Sequence, residues 1–234
     1  MDQMLNFHKT FFPYCNSSPV IICGCHGGGT SYIAKLLRYR GLFLGADAEP
    51  LNSRKYHESR VFRKANELLL ERFGDKCGFA EVTVRSFLSH IRKPGSKVAL
   101  AKELDLEMIL NTFWGLQERK CNWGWKDPRN SLTFPIWQLY FPTARTIVVR
   151  KSVGTSRASS PSGKWFREEA SRWLREQYSN PPWLNDSNAS LVIDFERIVT
   201  DLKSFNELMD FTSLPLAKSK EFLNTLTETG FEGI

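Results

Sequence analysis

The sequence predicts an α/β fold in three layers, α/β/α, with helices on both faces of a central, mostly parallel sheet. Three observations support this. Short apolar runs alternate with longer stretches of helical periodicity, as expected of strands buried on both faces and joined by crossover helices. A glycine cluster closes the first apolar run, and in such sheets ligands sit at the carboxyl ends of strands. No repeat, low-complexity tract or Pro/Gly/Ser-rich linker divides the 234 residues, so a single domain over 1–234 is expected.

The elements follow in order. Pro19-Val-Ile-Ile-Cys-Gly24 reads as a buried strand ended by glycine. Thr30 to Tyr39 carries Ile33, Ala34, Leu36 and Leu37 at helical spacing. Glu58 to Phe73 and Glu103 to Leu116 are further helix candidates, and Asn122 to Lys126 is a short strand with a helix or turn after Pro128. The clearest strand is Arg145-Thr-Ile-Val-Val-Arg150, β-branched and bounded by polar residues. Lys164 to Tyr178 reads as a helix with Trp165, Trp173 and Leu174 on its apolar stripe. Ser190-Leu-Val-Ile-Asp194 is a fourth strand, and helices near Lys203 to Phe211 and Lys218 to Leu226 follow it.

Composition narrows the function. With 41% hydrophobic and 24% charged residues, the chain is neither disordered, collagenous nor a coiled coil. Its longest strongly apolar run, Val20 to Cys23, is far short of the roughly 20 residues of a membrane span. The first 15 residues have no basic region leading into an apolar core, so a cytoplasmic protein is expected. Five cysteines at irregular spacing read as reduced, mostly buried thiols. Cys23-x-Cys25-His26 could form the corner of a metal site, but no second cluster completes four ligands, and no metal is expected. The net charge is +7, and between Arg145 and Arg175 eight basic residues face only Glu168 and Glu169. That run suits a nucleotide, a phosphate-bearing substrate or nucleic acid as well as it suits a solvated face.

Three strand ends carry candidate chemistry. The first reads Gly24-Cys-His-Gly27-Gly28-Gly29-Thr30-Ser31 between a strand and a helix. Glycines let backbone N–H groups converge, and a helix start adds about half a positive charge, which together cradle a phosphate. Against the nucleotide-loop pattern GxxxxGK followed by Ser or Thr, Gly24, Gly29 and Ser31 fit, but Thr30 stands at the lysine. An ordinary ATPase or kinase needs that lysine. The second strand end is Lys126-Asp127-Pro128-Arg129, two cations at the mouth of the presumed cleft, with Pro128 biasing Asp127 away from helix; a turn with a local Asp–Arg pair is the plainer reading. The third, Arg150 followed by Lys-Ser-Val-Gly-Thr-Ser-Arg-Ala-Ser-Ser, suits a terminal phosphate gripped by a guanidinium.

Taken together, the Gly24–Ser31 loop, Arg40-Gly-Leu-Phe-Leu-Gly45, Gly124-Trp-Lys-Asp-Pro-Arg129, Phe141-Pro-Thr-Ala-Arg-Thr-Ile-Val-Val-Arg150 and Leu191-Val-Ile-Asp-Phe-Glu196 resemble the sulfotransferase family. The likeness is greatest to its bacterial branch, whose loop commonly reads GMHRSGTS. It covers about residues 19 to 215, with a variable helical acceptor region at about 42–116. It implies a P-loop-like fold, 3′-phosphoadenosine 5′-phosphosulfate as sulfuryl donor, 3′,5′-adenosine bisphosphate as product, and no metal. By this resemblance Gly27, Gly28, Gly29, Thr30 and Ser31 wrap the donor's 5′-phosphate, with Arg129 beside them. Arg150 holds the 3′-phosphate with a serine. The family's serine position falls on Ala158, flanked by Ser156 and Ser159. Glu58, ending a stretch similar to the family's aromatic-Glu segment, becomes the general base, with His57 as substitute; a capping carboxylate at an exposed helix start is the alternative. Gly27 stands where the family has a lysine or arginine that steadies the leaving phosphate, a contact worth about 10²–10³ in rate. Lys126, Arg129 or His26 could supply it. The C-terminal TGFEGI also lacks the basic glycine-rich segment of cytosolic animal members.

The leading expectation is therefore a cytoplasmic sulfotransferase acting on a hydroxyl or amine of a small-molecule or carbohydrate acceptor. The alternatives are a non-catalytic nucleotide binder of the same fold, and a magnesium-dependent nucleotide kinase or NTPase with Asp194 at a Walker-B-like strand end. Nucleic-acid binding lacks a docking module. Phe87, Phe113 and Trp114 read either as acceptor-pocket or as core residues.

Overall fold

The computed structural model describes residues 18–45, 48, 57–105, 122–151, 166, 170–184 and 189–230. Ser156, Ser159, Phe113 and Trp114 lie outside them. Four parallel strands, β1 (Val20–Gly24), β2 (Gly124–Lys126), β3 (Arg145–Arg150) and β4 (Ser190–Asp194), form a sheet in the order β2-β1-β3-β4. The register pairs Ile22 with Lys126 and Gly24 with Val149. Helices cover both faces, as the alternation of strands and helices predicts. The first half of the chain supplies α1 (Thr30–Tyr39), α2 (Arg60–Glu71), α3 (Glu81–Ile91) and α4 (Ser96–Glu103). The second supplies α5 (Asn130–Tyr140), α6 (Arg172–Ser179), α7 (Phe195–Thr200), α8 (Leu202–Phe211) and α9 (Ser219–Glu228).

The period of two along a strand divides the core. Ile21, Cys23, Trp125 and Val148 face α2, α3, α5 and α6, where Phe62, Phe87, Trp137 and Tyr178 are fully buried. Phe87 is thus a core residue. Val20, Ile22, Ile147 and Val149 face α1 and α7–α9, against Ile33, Leu37, Phe205 and Met209. Strands β1 and β3 are apolar on both sides because both sides are covered.

The structure corrects one helix expectation, and another lies mostly outside the described residues. Of the helix expected over Glu103–Leu116 only Glu103 to Asp105 is described: Glu103 ends α4, Asp105 has φ +48°, and residues 106–116 lie outside the described residues. The expected Lys164–Tyr178 helix breaks at Ala170–Ser171, where the Ser171 hydroxyl accepts from Leu174 N–H and starts α6. Helix α5 contains Pro135, which cannot donate to the Ser131 carbonyl. The Trp183 indole N–H takes that carbonyl instead, at 2.8 Å. The proline therefore leaves no orphan acceptor.

Candidate functional site

The loop between β1 and α1 lies between the carboxyl ends of β2 and β3, because β1 is their common neighbour. Gly27 and Gly29 have φ of +73° and +89°, a region disfavoured for side chains with a Cβ. Gly28 N–H closes a turn on the Cys25 carbonyl at 2.8 Å. At Gly29 a Cβ would also come within 2.4 Å of the Phe195 ring. Gly29 is the N-cap of α1 and has no side chain to satisfy the helix start, and the first turn holds no acid. The first bonds of the helix are made by Tyr32 and Ile33 N–H to the Gly29 carbonyl, leaving Thr30 and Ser31 ahead of them. Together these features form an anion cradle.

A lysine from β2 reaches the loop. Lys126, 1% exposed, donates from Nζ to Ser31 Oγ at 3.1 Å and to Glu58 Oε1 at 2.7 Å. Glu58 is 8% exposed just before α2. Burial drives its carboxyl above the ordinary range, Lys126 pulls it back, and Asp127 pushes it up again; the balance is upward. His57, also buried, adopts φ +52° and turns the chain into α2.

Arg129 points elsewhere. Asp127 Oδ1 accepts from its backbone N–H and from Nε, both at 2.9 Å, while Nη1 donates to Glu67 at 3.2 Å and to the Lys76 carbonyl at 3.3 Å. Glu58 Oε2 is 3.9 Å from Nη2. Burial opposes the charge on Arg129, but Asp127, Glu58 and Glu67 outweigh it and hold the guanidinium protonated more firmly than usual. Sequence reasoning made Arg129 a phosphate ligand; here it ties α2 and the turn before α3 to the end of β2.

His26 is also recast. Its ring packs against Phe79, Tyr178 and Phe166 with centroids at 4.6, 5.1 and 5.2 Å, and Nε2 is buried with no hydrogen-bond partner among the described residues. Desolvation, then repulsion by Arg129 and Lys126, holds its pKa well below the usual histidine value. It stays neutral near pH 7 and brings no charge to the loop.

Arg150, at the end of β3, donates from Nε to the Ser179 carbonyl at 3.2 Å and from Nη2 to Asn180 Oδ1. Among the described residues two of its five donors are engaged, and Nη1 and one proton on Nη2 have no acceptor there. The basic run is not one patch: Arg145 sits at the opposite end of the strand, bonded to the Phe211 carbonyl and Ser213 Oγ, both at 2.7 Å. Asp194 ends β4, paired in register with Arg150 and separated from β1 by β3.

Sequence reasoning missed a layer of polar residues. Ser131 Oγ accepts from Gly24 N–H at 3.1 Å and donates to the Tyr178 carbonyl at 2.9 Å, pinning the loop's first residue. Asn130 donates to the Ile22 carbonyl and accepts from Asn66, whose own carbonyl oxygen accepts from Thr133 and Trp137. Asp75 takes N–H bonds from Cys77, Phe79 and Ala80 and shapes the turn that carries Phe79 to His26. A sequence signal existed for one of them, since Asn66 lies on the apolar stripe of α2. Beyond Phe79 opens a cavity of about 590 Å³, lined by Asp75, Cys77, Ala80, Glu81, Ala170 and Leu174 among others. Among the described residues no three His, Cys, Asp or Glu side chains converge on a metal position, and no helix is long and apolar enough to cross a membrane.

No known family model matches this chain, and no curated protein sequence matches it. Among solved structures it is similar to the sulfotransferase domain from the Synechococcus PCC 7002 olefin synthase, with a TM-score of 0.51 and 14% identity. The likeness covers 94% of this chain and 82% of that one. The fold is sulfotransferase-like. At 14% identity the likeness carries the architecture and not the chemistry, so the activity must be argued from the side chains. In this sulfotransferase-like fold the glycine loop, Lys126 and Glu58 converge on one spot, and Arg150 lies one strand away.

Proposed function

We propose that this chain transfers a sulfuryl group from 3′-phosphoadenosine 5′-phosphosulfate to a hydroxyl or amine of a small-molecule or carbohydrate acceptor. The observation that carries the reading is Lys126 Nζ, 3.1 Å from the loop's Ser31 and 2.7 Å from Glu58. A cation for a leaving phosphate and a carboxylate for an acceptor proton meet there. The loop fits an anion: its helix start is unblocked, and a Cβ at residue 28 would come 2.8 Å from the Cys25 carbonyl.

The donor, when bound, supplies a sulfuryl group on a phosphate leaving group. The Gly27–Ser31 loop orients the 5′-phosphate through backbone N–H groups and the Ser31 hydroxyl. Lys126 offsets the charge that develops as the sulfur–oxygen bond lengthens. Glu58, whose proton affinity is raised by burial, takes the acceptor's proton near neutral pH. Arg150 uses its remaining donors on the 3′-phosphate. His26 and Phe79 pack edge to face beside the loop, and the cavity beyond Phe79 is of small-molecule size. Positioning and charge stabilisation supply the catalysis.

Gly27 favours a second reading, a nucleotide-binding protein with little turnover: at φ +73° a lysine there is strained, so the loop carries no cation of its own. Calorimetric titration with 3′,5′-adenosine bisphosphate, 5′-AMP and MgATP, followed by label transfer from the donor to an acceptor panel, separates the readings. Magnesium-independent binding that needs the 3′-phosphate, with transfer abolished by Glu58→Gln, is the expected result. Binding with no transfer to any acceptor favours the second reading, and binding of MgATP alone ends both.

A further inference from the structure

The loop has two flanks, and Lys126 occupies only the one beside β2. On the other flank β3 runs past the last register pair, Gly24 with Val149, to Arg150 and then Lys151. The order β2-β1-β3-β4 puts the switch in chain direction at β1 and β3, so the crevice outside the sheet opens on this second flank. There Lys151 Nζ lies 4.4 Å over the Phe195 ring. That ring is wedged against the loop: a Cβ on Gly29 would come 2.4 Å from its Cδ2. Tyr32, from the first turn of α1, meets the same ring edge-on at 5.6 Å. The ammonium thus lies over an aromatic ring that packs against the N-cap of α1.

Charge strengthens the case. Gly27 and Thr30 leave the loop without a cation of its own, and Lys126 is already paired with Glu58 at 2.7 Å. A phosphate in the cradle carries more negative charge than one partly neutralised lysine offsets. A charge-assisted hydrogen bond from an ammonium to phosphate is a strong one, and an anion in the loop attracts a lysine on its flank.

We propose that Lys151 is a phosphate-binding residue of this loop, closing on the nucleotide's 5′-phosphate from the β3 side while Lys126 serves it from the β2 side. This rests on the reading above only in taking the anion to be a nucleotide phosphate.

The test is calorimetric titration of the full chain and of Lys151→Met and Lys151→Arg with 3′,5′-adenosine bisphosphate, 5′-AMP and MgATP, at 50 and 200 mM salt. Lys151→Met is expected to weaken the bisphosphate and 5′-AMP by the same factor, about tenfold or more, and to flatten the salt dependence. Lys151→Arg restores most of both, and the melting temperature of the free protein stays within a degree or two of the original. Weakening of the bisphosphate alone assigns Lys151 to the 3′-phosphate and overturns the proposal. So does unchanged affinity, or weakening that arginine does not rescue. Wild-type protein that prefers MgATP and loses it in Lys151→Met sinks the sulfotransferase reading while Lys151 stands. A wild-type preference for the 3′-phosphate, with the affinities for both the bisphosphate and 5′-AMP unchanged in Lys151→Met, leaves that reading standing and removes Lys151. No nucleotide binding removes both.

Discussion

Replacing Lys126 with methionine strands the Glu58 carboxylate. The two side chains are 1% and 9% exposed, with 2.7 Å between Nζ and Oε1. Methionine keeps most of the volume, so the loss is electrostatic, and breaking a buried pair from one side costs about 3–5 kcal/mol. That is a large share of the roughly 5–15 kcal/mol that holds a domain together. The pH dependence has a definite sign. Burial already raises the proton affinity of Glu58, against the pull of Lys126; without Lys126 it rises further. The folded variant then keeps a proton that the unfolded chain releases above the ordinary glutamate range. Its stability falls as pH rises through that window, by at most about 1.4 kcal/mol per pH unit. Urea unfolding at pH 5 and pH 8 should show the gap to wild type widening with pH. The double variant Glu58→Gln with Lys126→Met removes the stranded charge and should recover most of the stability and lose the pH dependence. A gap below about 1 kcal/mol at neutral pH, or one equal at both pH values, would refute the buried-pair argument. So would a double variant no better than the single.

Three further outcomes are expected. Gly29→Ala forces a left-handed alanine against Phe195 at 2.4 Å and should cost about 2–4 kcal/mol in urea unfolding; adding Phe195→Leu recovers the packing part but not the backbone part. His26 is neutral when folded and takes a proton when unfolded below about pH 6.5, so wild-type stability drops as pH falls through that range; His26→Phe should flatten the profile between pH 5 and 6.5 without loss of stability at pH 7.5. Arg150→Ala should lower affinity for 3′,5′-adenosine bisphosphate about 10- to 100-fold and leave 5′-AMP nearly unchanged; equal loss for both would remove Arg150 from the 3′-phosphate.

Strands β1, β3 and β4 were legible in the sequence as short apolar runs, with β1 and β3 covered on both faces, and the loop was legible because its backbone demands glycine at positions 27 and 29. Helix α3 was not: Glu81-Val-Thr-Val is a poor helix opening on propensity alone. It is set by Asp75, six residues earlier, whose carboxylate takes the N–H groups leading into it. The break at Ser171 was hidden because the apolar stripe of Lys164–Tyr178 runs through it, and only the packed chain shows where the hydroxyl caps α6. The site divides the same way. Lys126-Asp-Pro-Arg129 announces two cations at a strand end, but local sequence treats them alike. Tertiary structure separates them through distant partners: Lys126 meets Ser31, 95 residues earlier, and Glu58, 68 residues earlier, while Arg129 turns to Glu67 and the Lys76 carbonyl. Local sequence determines which backbone conformations and charges are available. Which charge faces the loop depends on which distant carboxylate is buried beside it, and that is decided only when the sheet and helices pack.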